Sequence, residues 1–576
     1  MAFLAARTSR GKKYWSIVES RRINGKPRTV ILEYLGSADS LLKRLEGSAE
    51  LNLKSYCHGD TAALVLMAQQ LGVVELINKH VPTGPNGSKP LRDGLSVGAS
   101  ILLAAIGRAC APTSKAGWYA WCQTTSLHYT FGRRLNKLDS QHFWDQMHAL
   151  PAESIPLIEE QLLARVVERF NLKPDCLLFD TTNFFTFIAS TNDRCELPRR
   201  GRNKQKRYDL RQVGLALLVN REHQFPLFHK TYQGNHADVS VFRAIFAEMT
   251  ERMRLLFKQM ADITLVFDKG NNSKDNFALL DQDPQLYYVA SLVPSYFKEL
   301  MDEANAQLQP VALAKDEEVQ AYRTSVEIWG QRRECVALVS EQLREGQIRG
   351  IEQSLHKKLA ALGDLQAQLQ NPRSRKKWTR KQLQERVEQL IQGQYVNEIL
   401  TYRLSRKRKQ FHLKYEVDHQ AYETLKEQRL GRRLLVTNRS DWSTAQIIRA
   451  YRAQAKVEYT FRNLKNPMHL AIRPQYHWTD QKLKVHFFMC VLGYLLTVAV
   501  YTQARQKMNY RRSVTHLLDD LRSIRLCSMI KKKGRKISYE LEQMSPATSR
   551  LAHVLGVTEQ NVRSKINSSD YSLGYV

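Results

Sequence analysis

Cys176-Leu-Leu-Phe-Asp180-Thr-Thr-Asn-Phe-Phe-Thr-Phe-Ile188 is the stretch on which the fold turns. Four apolar or weakly polar residues lead into an aspartate, and aromatic and β-branched residues follow it, which predicts a strand buried in a sheet. Two further strand-like runs come after it, Val213-Gly-Leu-Ala-Leu-Leu-Val219 and Phe225-Pro-Leu-Phe-His-Lys-Thr-Tyr232. A helical stretch from Ser240 to about Met260 leads to a fourth strand, Ile263-Thr-Leu-Val-Phe-Asp268, and a short helix leads to a fifth, Leu286-Tyr-Tyr-Val-Ala-Ser-Leu-Val293. Three strands in series, then helix, strand, helix and strand, predict a mixed α/β sheet rather than a doubly wound parallel one.

Outward from this centre the pattern changes several times. Residues 1–50 read as an N-terminal β region, because Tyr14-Trp-Ser-Ile-Val-Glu-Ser20 and Thr29-Val-Ile-Leu-Glu-Tyr-Leu35 flank Asn24-Gly25, a strong hairpin signal. Residues 51–172 read as a helical region that binds DNA or a second copy, with loops at Pro82-Gly87 and Pro112. The central α/β unit spans 173–294. Residues 295–442 form a large inserted α+β region holding a polar helical hairpin from Gly350 to about Tyr395, broken at Asn371-Pro372, and a strand at Arg433-Leu-Leu-Val-Thr437. A helix from near Ser443 to Asn466, stopped by Pro467, opens a segment 443–500 that returns to the central unit. Residues 501–576 read as a helical tail with a basic cluster Lys531-Lys-Lys-Gly-Arg-Lys536.

Charge narrows the partner. The 576 residues hold 87 Lys and Arg against 56 Asp and Glu, a surplus of +31, and 43% are hydrophobic. That composition excludes whole-chain disorder and collagen-like repeats, and a surplus of this size calls for a polyanion, most commonly nucleic acid. The eight cysteines form no C-x-x-C pair, which argues against a zinc ribbon and for reduced thiols in a cytoplasm. No apolar stretch near Met1 reads as a signal peptide, and the apolar run Val485–Tyr501 reads as a buried helix rather than a membrane span.

Asp180 and Asp268 stand out because each ends or interrupts an apolar strand, where a carboxylate is held rigidly enough to ligate a metal; the same placement suits a turn-starting or helix-capping Asp. On the helix near 450, Tyr451, Gln454, Glu458, Arg462 and Lys465 fall three or four apart and so share one face, a stripe that also fits a solvated surface with a Glu–Arg pair.

Together these residues resemble the DDE transposases of bacterial insertion sequences, in the subgroup with a Tyr-x2-Arg-x3-Glu-x6-Lys signature and a large insertion between the second Asp and the Glu. Arg207-Tyr-Asp-Leu-Arg-Gln-Val-Gly214, Gly234-Asn235 and Asp268-Lys-Gly-Asn-Asn-Ser273 add to the likeness, which covers roughly residues 10–500. Gln454 stands where that signature has Arg, and Lys269 where Arg is frequent. The resemblance implies a ribonuclease-H-like catalytic domain in which Asp180, Asp268 and Glu458 bind two Mg2+ ions, with Mn2+ able to substitute. It also implies cleavage and strand transfer at the inverted-repeat ends of an insertion sequence, target DNA as the second substrate, a homodimer on DNA, no membrane, and a cytoplasmic, nucleoid-associated place in a bacterium. Tyr451, Gln454, Arg462 and Lys465 would face the DNA backbone, and Arg200, Arg202, Lys204 and Arg207 would form a basic loop on the same side.

Two rival readings follow from the same residues. A tyrosine recombinase needs His-x-x-Arg before a C-terminal Tyr, and none of the 16 histidines has Arg three residues later. A transposase-derived repressor that binds DNA without cutting it stays open.

Overall fold

The structure, a computed structural model, describes the chain apart from residues 1, 24–25, 49–50, 85–86, 133–134, 136–137, 190, 204, 258–262, 315–316, 372–377, 408–409, 474, 532–536 and 559–576. Lys204 and most of the cluster at 531–536 therefore lie outside the described residues.

Nine strands form the central sheet: β1 Cys176–Phe185, β2 Gln212–Asn220, β3 Pro226–Gln233, β4 Ile263–Phe267, β5 Leu286–Leu292, β6 Gln309–Ala314, β7 Glu317–Ile328, β8 Gln331–Val339 and β9 Arg432–Thr437. Their spatial order is β6-β7-β8-β9-β5-β4-β1-β2-β3. Within the half β3-β2-β1-β4-β5, the first three strands are antiparallel neighbours while β4 runs parallel to both β1 and β5. This is the ribonuclease-H-like arrangement of a mixed α/β sheet. Every residue of β2 and β4 is buried, which explains their near-continuous apolar sequence: both sheet faces are covered, so no residue alternates outward.

The two faces are read off β1. Odd-numbered residues point to the helix Asp238–Phe257, as the 5.3 Å ring pair Phe179–Phe242 and the 2.6 Å bond from Thr181 Oγ1 to Asp238 show. Even-numbered residues point to the opposite layer, where Phe184 packs on Phe487 at 5.7 Å and Lys465 Nζ donates to Thr182 Oγ1 at 2.5 Å. That layer is built on the helix Asp480–Met508. It is long and apolar enough to cross a bilayer, yet 94% of its most apolar window is buried against protein. Gly493 allows it to cross the helix Val97–Cys110 closely, since a Cβ there would stand 2.7 Å from the Ala105 carbonyl oxygen. All fourteen residues of Val97–Cys110 are buried.

Three boundaries drawn from sequence change. The helices of 51–172 share one continuous core with the sheet and with Asp480–Met508, and do not stand apart as a unit of their own. The region 295–442 is not wholly an insertion: β6, β7, β8 and β9 extend the central sheet by antiparallel pairing. What projects is the helical pair Glu341–Gln370 and Arg380–Ile391 with the hairpin Leu400–Lys407 and Gln410–Val417, holding their own core of Leu362, Leu365, Leu383, Val387 and Leu413. The tail is not all helix either: Arg525–Lys531 pairs with Ile537–Leu541 and with Leu51–Cys57, a partner more than 450 residues away that no local pattern signals. At the other end, Ala2–Ser9, Lys12–Ile23 and Lys26–Ser37 form the expected antiparallel N-terminal sheet, although Asn24 and Gly25 themselves lie outside the described residues.

The end of β3 is tightly packed: a Cβ at Gly234 would stand 1.9 Å from the Gln212 carbonyl oxygen at the start of β2. Gly234→Ala is expected to lower stability by about 1–3 kcal/mol in chemical denaturation, the ordinary cost of forcing atoms into a filled site. An unchanged midpoint would contradict this packing.

Candidate active site

The register of two parallel strands brings the first pair of candidate residues together. Cys176, Leu177 and Leu178 of β1 lie opposite Thr264, Leu265 and Val266 of β4. Continued by two residues, that register sets Asp268, just beyond β4, beside Asp180 on the even-numbered face, at about the 4.8 Å spacing of adjacent strands. Asp180 is half-buried in mid-strand, and Asp268 precedes a single turn, Lys269–Asn271.

The third element differs from the single helix expected. Thr444–Arg452 and Ala455–Leu464 are separate helices joined through Ala453 and Gln454. No Gly or Pro marks the break; the chain tightens into i→i+3 bonds from Gln454 N to Tyr451 O at 2.9 Å and from Lys456 N to Ala453 O at 2.8 Å. Gln454 fixes this joint. Its side chain is buried, and Nε2 donates to the Phe179 carbonyl at 2.7 Å, one residue before Asp180. Gln454 thus ties the second helix to the strand of the first aspartate. Tyr451 is buried as well and points at the other aspartate, donating from Oη to Asp268 Oδ1 at 3.1 Å. Arg452, which flanks this stripe, is paired with Glu317.

Glu458 lies in the first turn of the second helix, exposed, and lines the same cleft of about 1010 Å³ as Asp268, Tyr451 and Gln454. Arg462 is exposed one turn on, its guanidinium 5.4 Å from the Tyr459 ring centre, and Lys465 reaches Thr182 two residues beyond Asp180. Of the basic loop, Arg200 and Arg202 are exposed, while Arg207 makes a 2.7 Å pair with Asp209. Backbone bonds between Arg199 and Gln212 anchor this loop at the end of the sheet toward which β1 runs.

Electrostatics separate the two aspartates. Burial resists ionisation of Asp268, but hydrogen bonds from Ser291 Oγ at 2.7 Å, the Lys269 amide and Tyr451 Oη outweigh it and hold the carboxyl below its ordinary value. Asp180 has no such support beyond the Thr181 amide. Burial, reinforced by the charges of Asp268, Asp238 and Glu458, pushes it up to about 7. The Tyr451 hydroxyl is pushed up to about 12 by burial and by Asp268, so it stays a proton donor at neutral pH.

Asp238 and Ser291 were not singled out from sequence. Asp238 opens the helix Asp238–Phe257 four residues after Gly234, and its negative charge reaches Asp180 while it accepts from Thr181. The residues Gly234-Asn-His-Ala-Asp238 directly after a strand were the available signal, since a carboxylate in a helix's first turn faces the end of the sheet. Ser291 is buried within β5 and nothing in its apolar run distinguishes it.

An acidic cluster whose most buried member is pushed toward its neutral form by burial, with three like charges adding to it, lacks a counter-charge, and its donors are all oxygens. Both properties fit a hard divalent cation. Among the described residues no three His, Cys, Asp or Glu side chains already stand close enough to hold one ion.

No protein-family model matches the chain, and no curated protein matches it in sequence. Among solved structures it is similar to that of the piggyBac transposase synaptic complex with hairpin DNA, determined by cryo-EM, with a TM-score of 0.39 and 7% identity over 89% of this chain and 87% of that one.

The raised Asp180 makes a signed prediction. In the fold its neutral form is favoured over that in the unfolded chain, so its contribution to stability is complete below about pH 3.8 and is lost as pH rises toward 7. In metal-free buffer Asp180→Asn is expected to stabilise the protein at pH 8 by roughly 2–4 kcal/mol, with the gain shrinking to nothing near pH 4. Thermal unfolding across this range measures it, and a pH-independent difference would contradict the assignment.

Proposed function

We propose that this protein is a DNA transposase that binds the inverted-repeat ends of an insertion sequence and carries out metal-dependent strand cleavage and strand transfer. The observation that supports this reading is that Asp180 and Asp268 come side by side on one face of the sheet, with Glu458 lining the same cleft as Asp268, from elements that together span more than 270 residues of sequence. On this reading two adjacent parallel strands and a helix pinned to the first of them would present the carboxylates as oxygen ligands for phosphodiester chemistry.

Asp180, Asp268 and Glu458 would hold two Mg2+ ions, or Mn2+ in their place. Such a pair, when bound, supplies activation of the attacking oxygen and stabilisation of the leaving one. The protein's own groups position the rest. Tyr451 and Ser291 both donate to one oxygen, Oδ1, of Asp268, which fixes the carboxylate's orientation. Gln454 sets the height of the Glu458 helix against β1. Arg462, Lys465 and the loop with Arg200 and Arg202 supply positive charge on which phosphates of the DNA would rest. Cleavage by water frees a 3′ hydroxyl at the element's end, and that hydroxyl then attacks a phosphate of the target duplex, releasing a 3′ oxygen. The protein would act as a homodimer in the bacterial cytoplasm.

A second reading, a DNA-binding repressor without cleavage, draws on the fact that no three described carboxylates are already gathered around one point. A labelled terminal-repeat duplex separates the two. With Mg2+ the parent is expected to nick it at the element's end, and Asp180→Ala, Asp268→Ala and Glu458→Ala to lose at least a thousandfold in rate while binding the duplex as the parent does. Variants that cut as well as the parent would refute the active site; a parent that binds but never cuts would favour the repressor.

A further inference from the structure

A second site lies away from the carboxylates, between the helices Val97–Cys110, Lys115–Cys122 and Asp480–Met508. A cavity of about 240 Å³ is lined there by Arg108, Lys115, Trp144, Tyr476, His477 and His486 among others, and no Asp or Glu is among its described lining residues. Arg108 is 7% exposed and makes no described ion pair; it spends its terminal nitrogens on the carbonyls of Thr113, Ala471 and Arg473. Its Nε has no partner. Lys115 Nζ lies 2.7 Å from His477 Nε2 and 4.4 Å from the centre of the Trp144 ring. Since the ammonium can only donate, His477 carries its proton on Nδ1, and that buried donor also has no partner. Lys482 sits over the other side of the arrangement, 5.2 Å from the same Trp144 ring.

Buried positive charge and unused donors without a carboxylate are costly unless an anion completes them. Burial, with the neighbouring charge of Arg108, brings the Lys115 ammonium down to about 7, the response expected of a cation that lacks its counter-charge. Ser114, Lys115 and Ala116, the N-terminal turn of the helix Lys115–Cys122, line the same space and add the positive end of its dipole.

One lining residue, Tyr476, belongs to an exposed aromatic pair. Tyr476 is itself 50% exposed, and Phe187 packs beside it at 6.0 Å and is 47% exposed. Aromatic rings left open beside a cationic pocket are the combination by which proteins hold unpaired nucleotides, bases stacking on rings while the backbone meets positive charge. Duplex bases, already stacked on one another, have no use for such rings.

We propose that this cavity takes one backbone phosphate of a single DNA strand whose neighbouring unpaired bases stack on Tyr476 and Phe187. Lys115 Nζ donates to the phosphate oxygens, and Arg108, which lines the same space, adds its charge. The inference deepens the DNA reading above by assigning the protein a place for an unpaired strand, separate from the cluster that would cut it.

The test is binding by the full-length protein in EDTA, so that no cleavage enters, with a fluorescently labelled eight-nucleotide single strand of thymidines followed by anisotropy. Lys115→Ala and Phe187→Ala are each expected to weaken the single strand about tenfold while changing affinity for an eight-base-pair duplex less than twofold. Inorganic phosphate at matched ionic strength is expected to raise the melting temperature of the parent more than chloride does, and to lose that advantage in Lys115→Ala. Melting temperature in chloride reports whether each variant is folded, and the conservative Lys115→Arg is expected to restore binding if the charge is what matters. Single-strand affinity unchanged in both variants would overturn the proposal, as would equal losses for single strand and duplex. Phosphate stabilisation without any effect on the oligonucleotide would overturn the strand and leave free phosphate as the ligand. Normal single-strand binding by a protein that never cuts would support this site and count against the cleavage reading alone.

Discussion

The parallel pairing of β1 with β4 is the constraint on which the rest of the site depends. A single register, Cys176 to Leu178 against Thr264 to Val266, decides that Asp180 and Asp268 come side by side and on the same face. Because side chains alternate along a strand, a slip of one residue would turn one of them to the helix Asp238–Phe257 and dissolve the cluster. The register is held by apolar residues that are wholly buried, Leu177, Leu178, Leu265 and Val266 among them, so the sheet core rather than the carboxylates fixes the geometry. The carboxylates do not draw one another together: burial, with the neighbouring like charges adding to it, pushes Asp180 up.

The helix that carries Glu458 is subordinate to that sheet. It is positioned by polar contacts to the strands: Gln454 to the carbonyl before Asp180, Tyr451 to Asp268 and Lys465 to Thr182. Behind it, Thr460 Oγ1 meets Tyr494 Oη at 3.0 Å, linking it to the buried helix Asp480–Met508 and so to the helices of the N-terminal third. The apolar helix that could pass for a membrane span serves as the post on which these layers are packed.

Much of this was legible in the sequence, for reasons that can be named. The five strands from Cys176 to Leu292 announce themselves because each is an apolar run bounded by turn residues, and the aspartates because a charge interrupts such runs. The 3.6-residue period placed Tyr451, Gln454 and Glu458 on one face; Gln454 bonds to the sheet and Tyr451 to the residue just beyond β4, and Glu458 lines the same cleft. What periodicity could not tell is which members of the face turn inward: Tyr451 and Gln454 are buried by contacts to strands about 180 and 275 residues distant. The break at Ala453 was invisible because no Gly or Pro marks it. The pairing of Arg525–Lys531 with Leu51–Cys57 and the extension of the sheet by β6 to β9 were missed for a related reason, since long-range strand pairing leaves no local trace. Asp238 enters the cluster only through the fold, and the cationic cavity around Arg108 and Lys115 joins segments more than 360 residues apart.

The central claim is that Asp180, Asp268 and Glu458 form one cation site. Titration of the purified protein with Mn2+, followed by the loss of the free-ion signal in electron paramagnetic resonance, tests it most directly. The account predicts two bound ions per chain, with binding reduced at least tenfold by Asp268→Asn and by Glu458→Gln alike. Binding that survives both substitutions, or that disappears with one and is untouched by the other, would contradict it.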